Sequence, residues 1–301
     1  MNPDAVNHPP IVFIHRNCPT MESFPDSALG ICIRQAALHH PGVPILLIGD
    51  QDPKRPDLCE FAEIERLQFV SRDLASIYLH TSTNDPAYEF FCIERWLLLA
   101  ELMRERGDNA CIHLDSDVLA FANLWDELRP EFSQADVGFC QLDVAALHAS
   151  TILHAAKFCS MHTAFLKRNT LEAFCLFVHR VFNDSDQWKA HEQFCRPFLD
   201  GGIISGLNDM SLWSEFLYEV GERWSVTNLC AVIRGATVDL NSNASMGYEM
   251  NGSLRLYDWI NDMPYARSLN GGEPVRHRTI HCQGAAKQHL SRLARCELID
   301  T

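Results

Sequence analysis

Three mainly apolar runs in the first half of the chain, each interpreted as a strand, constrain its fold more than any other feature. They cover residues 11–14, 44–50 and 110–114. The second run is apolar without interruption up to its final turn, which is typical of a strand that is buried on both faces. Helical patterns at 31–38 and 89–103 separate them. Strands that alternate with helices in this way predict an α/β fold with a mixed, mostly parallel sheet flanked by helices.

The rest of the chain shows a less regular pattern. A weaker apolar run predicts a further strand at 67–71, and residues 136–140 predict another. Amphipathic helices are expected at 171–182 and 211–220, and the Asn-, Gly- and Ser-rich residues 239–262 are typical of surface loops with short strands. The sequence contains no internal repeat or linker. We therefore expect one domain over 10–290, with terminal extensions at 1–9 and 291–301.

Charge and cysteine usage limit the partners and the compartment. The formal net charge of −14 argues against a nucleic-acid partner, because such binding depends on clustered Lys and Arg. The 12 cysteines are scattered and form no Cys-x-x-Cys pair, which is typical of buried thiols in a reducing compartment. No signal peptide or membrane-spanning run is present in the sequence. We expect a cytoplasmic protein without an integral membrane segment, and peripheral association with a membrane stays open.

Two aspartates directly follow the third apolar run. Asp115 and Asp117 flank Ser116 at the carboxyl end of a predicted buried strand, where open α/β sheets bind ligands. Carboxylate oxygens suit Mg²⁺ or Mn²⁺. One aspartate is therefore expected to bind a divalent cation, while the other orients a hydroxyl group, a water or an arginine. A pair of solvated loop aspartates is the alternative.

A second group of candidate residues lies near the C-terminus. A neutral His281 imidazole can complete the coordination of a cation. Gly284 lets the backbone approach a phosphate closely, and Lys287 supplies a compact positive charge for diphosphate oxygens. A histidine without a ligand role is the alternative for His281.

Arg95 is the third candidate, because its neighbours on the predicted helix are apolar. The positions three and four residues away are Phe91, Cys92, Leu98 and Leu99. A buried guanidinium needs a carboxylate or phosphate partner, and the acidic pair after the following strand could provide it. The alternatives are a side chain that reaches solvent or pairs with Glu94 or Glu101.

Together, the segments Ile-His-Leu-Asp115-Ser-Asp117-Val-Leu, Glu-Arg95-Trp-Leu-Leu-Leu and His281-x-x-Gly284-x-x-Lys287 resemble the GT-A glycosyltransferases. The resemblance extends from the first strand to about Leu290 and implies the GT-A fold. It implies that Asp115, Asp117 and His281 bind Mn²⁺ or Mg²⁺ and that Lys287 contacts a nucleotide diphosphate. The implied donor-binding set also includes Arg95, Ser116 and Gly284. Gln288-His289 follow Lys287, where families with this motif often continue with Pro-Trp.

Other residues are candidates by position. The segment 201–213 resembles an acceptor or sugar loop, which makes Asp209 the candidate catalytic residue; its alternative role is to cap the helix that begins near Ser211. His15 and Asn17 follow the first strand and could contact the nucleotide base by analogy with the fold. Asp239, Asn241 and Asn243 either line a sugar pocket or form turns. Loops at 81–88 and 241–261 are expected to set specificity.

These features predict a metal-dependent glycosyltransferase that moves a sugar from a nucleoside diphosphate sugar, a UDP-sugar, to an acceptor hydroxyl. The acceptor could be a carbohydrate, a lipid-linked molecule or a protein. Asp115 and Asp117 also fit a haloacid-dehalogenase-like phosphohydrolase, in which the first aspartate attacks phosphorus and the second is a general acid/base. A non-catalytic nucleotide-sugar binding module is the third alternative.

Overall fold

The computed structural model describes residues 8–141, 158–202, 204–219 and 224–296. A seven-stranded sheet lies at its centre. Its strands are β1 (Ile11–His15), β2 (Ile45–Gly49), β3 (Glu60–Glu63), β4 (Ala110–Leu114), β6 (Val137–Gln141), β7 (Cys159–Lys167) and β8 (Val226–Asn228). They follow the order β3-β2-β1-β4-β7-β6-β8.

Most neighbouring strands in this sheet are parallel. β1 pairs in parallel with β2 and β4, as do β2 with β3 and β6 with β8. Only β7 is antiparallel to its neighbours, β4 and β6. The predicted mixed, mostly parallel α/β architecture is therefore confirmed.

Helices cover both faces of the sheet. They are α1 (Ala28–His39), α2 (Ile64–Leu67), α3 (Arg72–Ile77), α4 (Pro86–Arg106), α5 (Leu124–Gln134), α6 (Arg168–Asn183), α7 (Ser185–Asp200), α8 (Asp209–Glu219) and α9 (Leu290–Ala294). Alternate residues of β1 enter opposite cores: Ile11 and Phe13 pack with α1, while Val12 and Ile14 pack with α4. This alternation explains why the first apolar run is continuous.

A smaller second sheet stands beside the first. Its strands are β5 (Val118–Ala120), β9 (Ala236–Val238), β12 (Tyr257–Ile260), β13 (Met263–Ala266) and β14 (Val275–His281), with a separate pair β10 (Met250–Asn251) and β11 (Leu254–Arg255). β5 and β9 both pair with β14, β5 antiparallel and β9 parallel. Because β4 ends at Leu114 and β5 begins at Val118, the acidic pair occupies the turn between the two sheets.

The strand predicted at 67–71 is wrong. Leu67 ends α2, residues Gln68–Ser71 form a 3-10 turn, and the third strand is β3 instead. The buried positions Ile64, Leu67, Ser71 and Leu74 recur every three or four residues, which is a helical spacing rather than an alternating one.

The prediction that residues 239–262 form surface loops is correct only in part. β10, β11 and β12 are short strands within this segment, as expected. Asp239, Ser242 and Arg255 are nevertheless buried. Asp239 and Arg255 can be buried because they pair with each other, which satisfies both charges inside the protein.

The hydrophobic core extends beyond the predicted domain boundary at residue 290. Leu293 of α9, which falls in the predicted extension at 291–301, is buried in the same core as α1. Within the described ranges, no helix combines the length and the apolar character required to cross a bilayer. The compartment and the peripheral membrane association stay predictions.

Candidate active site

The turn that carries the acidic pair is fixed by backbone hydrogen bonds from both sheets. The Asp115 N–H donates to the carbonyl of His162 on β7 over 2.8 Å, and the Val118 N–H donates to the Asp115 carbonyl over 3.1 Å. The Cys282 N–H, just after β14, donates to the Asp117 carbonyl over 2.8 Å. Both aspartates are thus held where the sheets meet.

Arg95 and His113 orient the carboxylate of Asp115. Arg95 Nη1 donates to Asp115 Oδ1 over 2.7 Å, and His113 Nε2 lies 3.0 Å from the same oxygen. The predicted contact between Arg95 and the acidic pair is confirmed. Burial alone would raise the pKa of Asp115, but Arg95 and His113 outweigh it and hold that pKa well below its ordinary value. Asp115 is therefore an anion near neutral pH.

Asp115, Asp117 and His281 form a group that could hold a metal ion. One ligand atom from each lies within 4.8 Å of the others. The Nδ1–H of His281 donates to the Leu240 carbonyl over 2.8 Å, so Nε2 is the ring nitrogen that faces Asp117, 3.5 Å from its Oδ1. Two carboxylates and one imidazole suit a divalent cation such as Mg²⁺ or Mn²⁺. The donor set therefore fits the predicted metal.

The imidazole of His281 is positioned by a second histidine. His162 stacks on it with ring centroids 4.0 Å apart and an interplanar angle of 12°. His162 Nε2–H donates to the Asp239 carbonyl over 2.8 Å. Burial, assisted by His281, lowers the pKa of His162 to about 3, so this ring is neutral at physiological pH. His162 can therefore pack on His281 without electrostatic repulsion.

Lys287 lies beside the acidic pair on a 3-10 turn that covers Gly284–His289. Its Nζ is 3.1 Å from Asp117 Oδ2, and about half of the side chain (53%) is exposed. Gly284 begins the turn at φ +58°, and a Cβ there would stand 3.1 Å from Asn243 Nδ2. The backbone therefore favours a glycine here, and its predicted contact with phosphate stays a prediction.

A cleft of about 410 Å³ opens onto the acidic pair. It brings together predicted residues from four separate parts of the chain, namely His15, Asn17, Arg95, Asp115, Ser116, Asp117 and Lys287. It is also lined by Tyr88 and by residues that the sequence analysis did not select for the site, including Arg16, Phe91 and Cys92. Tyr88 ends the predicted specificity loop, which was the available signal for that wall.

The loop after β1 is locked in shape by Asp50. The backbone N–H groups of Asn17 and Cys18 donate to the Asp50 carboxylate over 2.7 and 2.8 Å. Asn17 itself has φ +59°, a left-handed conformation that Asn tolerates better than most residues. The pKa of His15 is lowered, chiefly by burial. At this end of the cleft the His15 imidazole is therefore neutral near pH 7, and two hydrogen bonds fix the backbone of the loop.

Asp209 lies behind Arg95. Its Oδ2 accepts from Arg95 Nη2 over 2.7 Å and from Trp96 Nε1 over 3.2 Å. The alternative that Asp209 caps α8 is wrong, because Asn208 caps it: the Ser211 N–H donates to Asn208 Oδ1, and the Asn208 N–H donates to Ser211 Oγ. Of the described residues, Asp209 is not among those that line the cleft, so it reaches the cleft only through Arg95.

Asp239 and Asn241 form turns, as one of their two alternatives predicts. Asp239 Oδ1 accepts from the Asn241 N–H over 3.2 Å, and Asn241 Oδ1 accepts from the Asn243 N–H over 3.0 Å. Asp239 also accepts from the His281 N–H over 3.1 Å through Oδ2. Asp239 therefore supports a candidate metal ligand, a role that the sequence analysis missed.

No known family model and no curated relative matches the sequence. Solved structures with a similar course of the chain include mouse xyloside xylosyltransferase 1 in its apo form, with 11% identity over 74% of this chain and 86% of that one, at a TM-score of 0.45. The galactosyltransferase LgtC with donor and acceptor sugar analogs has 11% identity over 97% and 96% of the two chains, at 0.43. The bifunctional glycosyltransferase WbbM in its apo form has 13% identity over 78% and 41%, at 0.40. Similarity this weak carries no argument about function, which depends on the site itself.

Proposed function

We propose that this chain is a metal-dependent glycosyltransferase that moves a sugar from a nucleoside diphosphate sugar to an acceptor hydroxyl. The observation that supports it is the convergence of Asp115, Asp117 and His281 within 4.8 Å, with Lys287 Nζ 3.1 Å from Asp117. A diphosphate ester requires positive charge on its leaving group, and this arrangement offers a cation site and an ammonium side by side. The adjoining cleft has room for the nucleoside and the sugar.

Each residue has a defined role in this proposal. Asp115, Asp117 and His281 hold Mn²⁺ or Mg²⁺. A cation bound there would act as a Lewis acid on the leaving diphosphate. The hydrogen bonds from Arg95 and His113 both reach Oδ1 of Asp115, which leaves Oδ2 for coordination. Lys287 exchanges its contact with Asp117 for a diphosphate oxygen.

The two ends of the cleft take different parts of the donor. We assign the nucleotide base to the end at His15 and Asn17, and the sequence resemblance favours uridine there. The resemblance assigns Ser116 and Gly284 to the diphosphate, and Ser116 lines the cleft. The aromatic rings of Tyr88 and Phe91 form the wall along α4, where a sugar or base can stack.

Asp209 has a positioning role in this proposal. Its carboxylate holds the Arg95 guanidinium, which in turn aims Asp115. Direct proton abstraction from an acceptor, the role expected from the sequence, would require Asp209 to release Arg95 first. The acceptor hydroxyl, on a carbohydrate, lipid-linked molecule or protein, is therefore assigned no general base.

The phosphohydrolase alternative gains no support from the contacts of Asp117. Its general acid/base would have to exchange a proton freely, whereas Asp117 faces His281 over 3.5 Å and pairs with Lys287 over 3.1 Å. The binding-module alternative is separated from the enzyme by turnover alone. Hydrolysis of a UDP-sugar without added acceptor distinguishes the two.

The experiment that tests the proposal is thermal stabilisation by a panel of nucleoside diphosphates with and without Mn²⁺. We expect UDP and Mn²⁺ together to raise the melting temperature, whereas either one alone has a small effect. A ligand at about 100 times its Kd stabilises the folded state by roughly 2.7 kcal/mol. His281→Ala should abolish the joint effect. The absence of any shift with every nucleotide would refute a donor site.

Replacement of Lys287 by Met should separate diphosphate binding from metal binding. The ammonium lies close to a metal ligand and opposes a cation there, so Mn²⁺ affinity without nucleotide should hold or rise. UDP affinity in the presence of Mn²⁺ should fall by about tenfold or more, since a charge-assisted hydrogen bond is lost. Calorimetric titration measures both, with Lys189→Met on the exposed face of α7 as the control. A parallel loss of both affinities would contradict the assigned role.

A further inference from the structure

A second cavity, separate from the cleft, lies next to β9 and β14. Its volume is about 210 Å³, which is smaller than the pockets that bind drug-sized ligands. Asp239, Tyr248, Arg255 and His277 contribute to its wall, together with the uncharged side chains of Gln141 and Asn270. This lining is more polar than that of an ordinary packing defect, which is apolar.

Three nitrogens in this wall lack partners. Arg255 Nε and both ring nitrogens of His277 have no hydrogen-bond acceptor or donor among the residues that the structure describes. Both side chains are buried, with residue exposures of 2% and 1%. Buried nitrogens of this kind are rare in folded proteins and cost free energy until a partner reaches them. The wall is therefore suited to a ligand that offers both donors and acceptors.

The ring of Tyr248 covers these nitrogens. It stands 4.7 Å from Arg255 Cζ and has its centroid 5.1 Å from that of the His277 ring. Tyr248 is only partly buried, and it follows Met246 and Gly247, which have φ values of +46° and +87°. A residue other than glycine at positive φ is strained. A rotation of this tyrosine away from the wall opens the nitrogens to the cavity.

The cavity carries no unbalanced charge. The Arg255 guanidinium is paired with the Asp239 carboxylate, and both side chains are buried. Burial, assisted by the charge of Arg255, lowers the pKa of His277 to about 3, so its imidazole is neutral near pH 7. A neutral imidazole and a guanidinium N–H offer donors and one acceptor, which matches the dual capacity of a hydroxyl group. An ionic ligand would find no free counter-charge here.

We propose that this cavity is a binding site for one neutral, hydroxyl-rich sugar unit, held by Arg255 and His277 and covered by the ring of Tyr248. The site shares Asp239 with the candidate metal site, because Asp239 pairs with Arg255 and also accepts the His281 N–H. Its occupant is either the acceptor or an effector, since the two have the same chemistry. The inference does not depend on sugar transfer, because binding requires neither donor nor metal.

Ligand-observed saturation-transfer NMR of the full chain with methyl glycosides of common hexoses and pentoses tests the proposal without donor or metal. We expect at least one glycoside to bind, and His277→Phe to weaken it by about tenfold or more, because phenylalanine keeps the ring volume but lacks both nitrogens. His179→Phe, on α6 and outside the cavity, is the matched control. Val232→Trp, an exposed position at the cavity, serves as a second variant if His277→Phe does not fold.

Two results would overturn the proposal: no glycoside binds the wild-type chain, or the best one binds both cavity variants as well as it binds the wild type. Addition of UDP-sugar and Mn²⁺ to the protein with its bound glycoside then shows whether the glycoside is an acceptor or an effector. Conversion of the glycoside to a longer saccharide marks it as the acceptor. Recovery of the glycoside unchanged, with an altered rate of donor hydrolysis, marks it as an effector.

Discussion

Replacement of Asp117 by Asn should abolish the joint stabilisation by UDP and Mn²⁺ and lower the rate of donor hydrolysis by about a hundredfold or more. The amide keeps the size of the side chain but removes the charge that a divalent cation requires. Burial raises the pKa of Asp117, but His281 and Lys287 outweigh burial and the repulsion from Asp115, so the pKa is lowered overall. The charged side chain is therefore favoured in the folded protein, and the variant should lose some stability without ligand, while its response to UDP and Mn²⁺ is lost completely.

A metal ligand should affect ligand binding far more than stability, whereas a residue that only supports the fold should affect stability. Urea unfolding of the unliganded variant measures its stability, and a Mn²⁺ titration with UDP measures ligand binding. Asp73→Asn, at an exposed position of α3, is the control for the charge change. A variant that keeps its response to Mn²⁺ would remove Asp117 from the metal site.

Replacement of Arg95 by Met should destabilise the protein by about 3 kcal/mol or more. The guanidinium is largely buried and neutralises two carboxylates, Asp115 and Asp209, at 2.7 Å each. Its loss leaves Asp209 without a cationic partner at an exposure of only 4%. We expect donor hydrolysis to fall as well, because Asp115 loses the contact that orients it.

A double-mutant cycle checks this account. Asp209→Asn alone should destabilise less, since an amide can still accept from Arg95. The pair Arg95→Met with Asp209→Asn should recover part of the lost stability, because position 209 then carries no uncompensated buried charge. Chemical denaturation of all four proteins measures the coupling, and strict additivity would argue against the ion pair as the source of stability.

The central strands could be predicted from the sequence, whereas the edge strand could not. β1, β2 and β4 are buried on both faces, so their residues are apolar apart from His15 and His113. β3 lies at the edge of the sheet, with Glu60 and Glu63 exposed and only Ala62 buried. Nothing in such a sequence distinguishes a strand from a loop, since its formation depends on the neighbour β2.

The same reasoning applies to the site. Asp115, Asp117, His281 and Lys287 were recognisable by their spacing and their place after predicted strands. The support from His162, Asp239 and Arg255 was not, because it arises from strand pairings between distant segments. Asn, Ser and Gly form the same turns in the interior as at the surface. The sequence of residues 239–262 therefore predicts exposure even where the residues are buried.

The pairing of β5 with β14 also determines when during folding the chain becomes able to bind a cation. The acidic pair is synthesised well before β14, and β5 pairs with no strand except β14 among the described residues. A nascent chain from which β14 has not yet been synthesised therefore carries the two carboxylates without His281 or Lys287. It also lacks the strand that pairs with β5 and fixes the turn. Capture of a cation is expected as one of the last events of folding, so metal binding reports that the final strands have assembled.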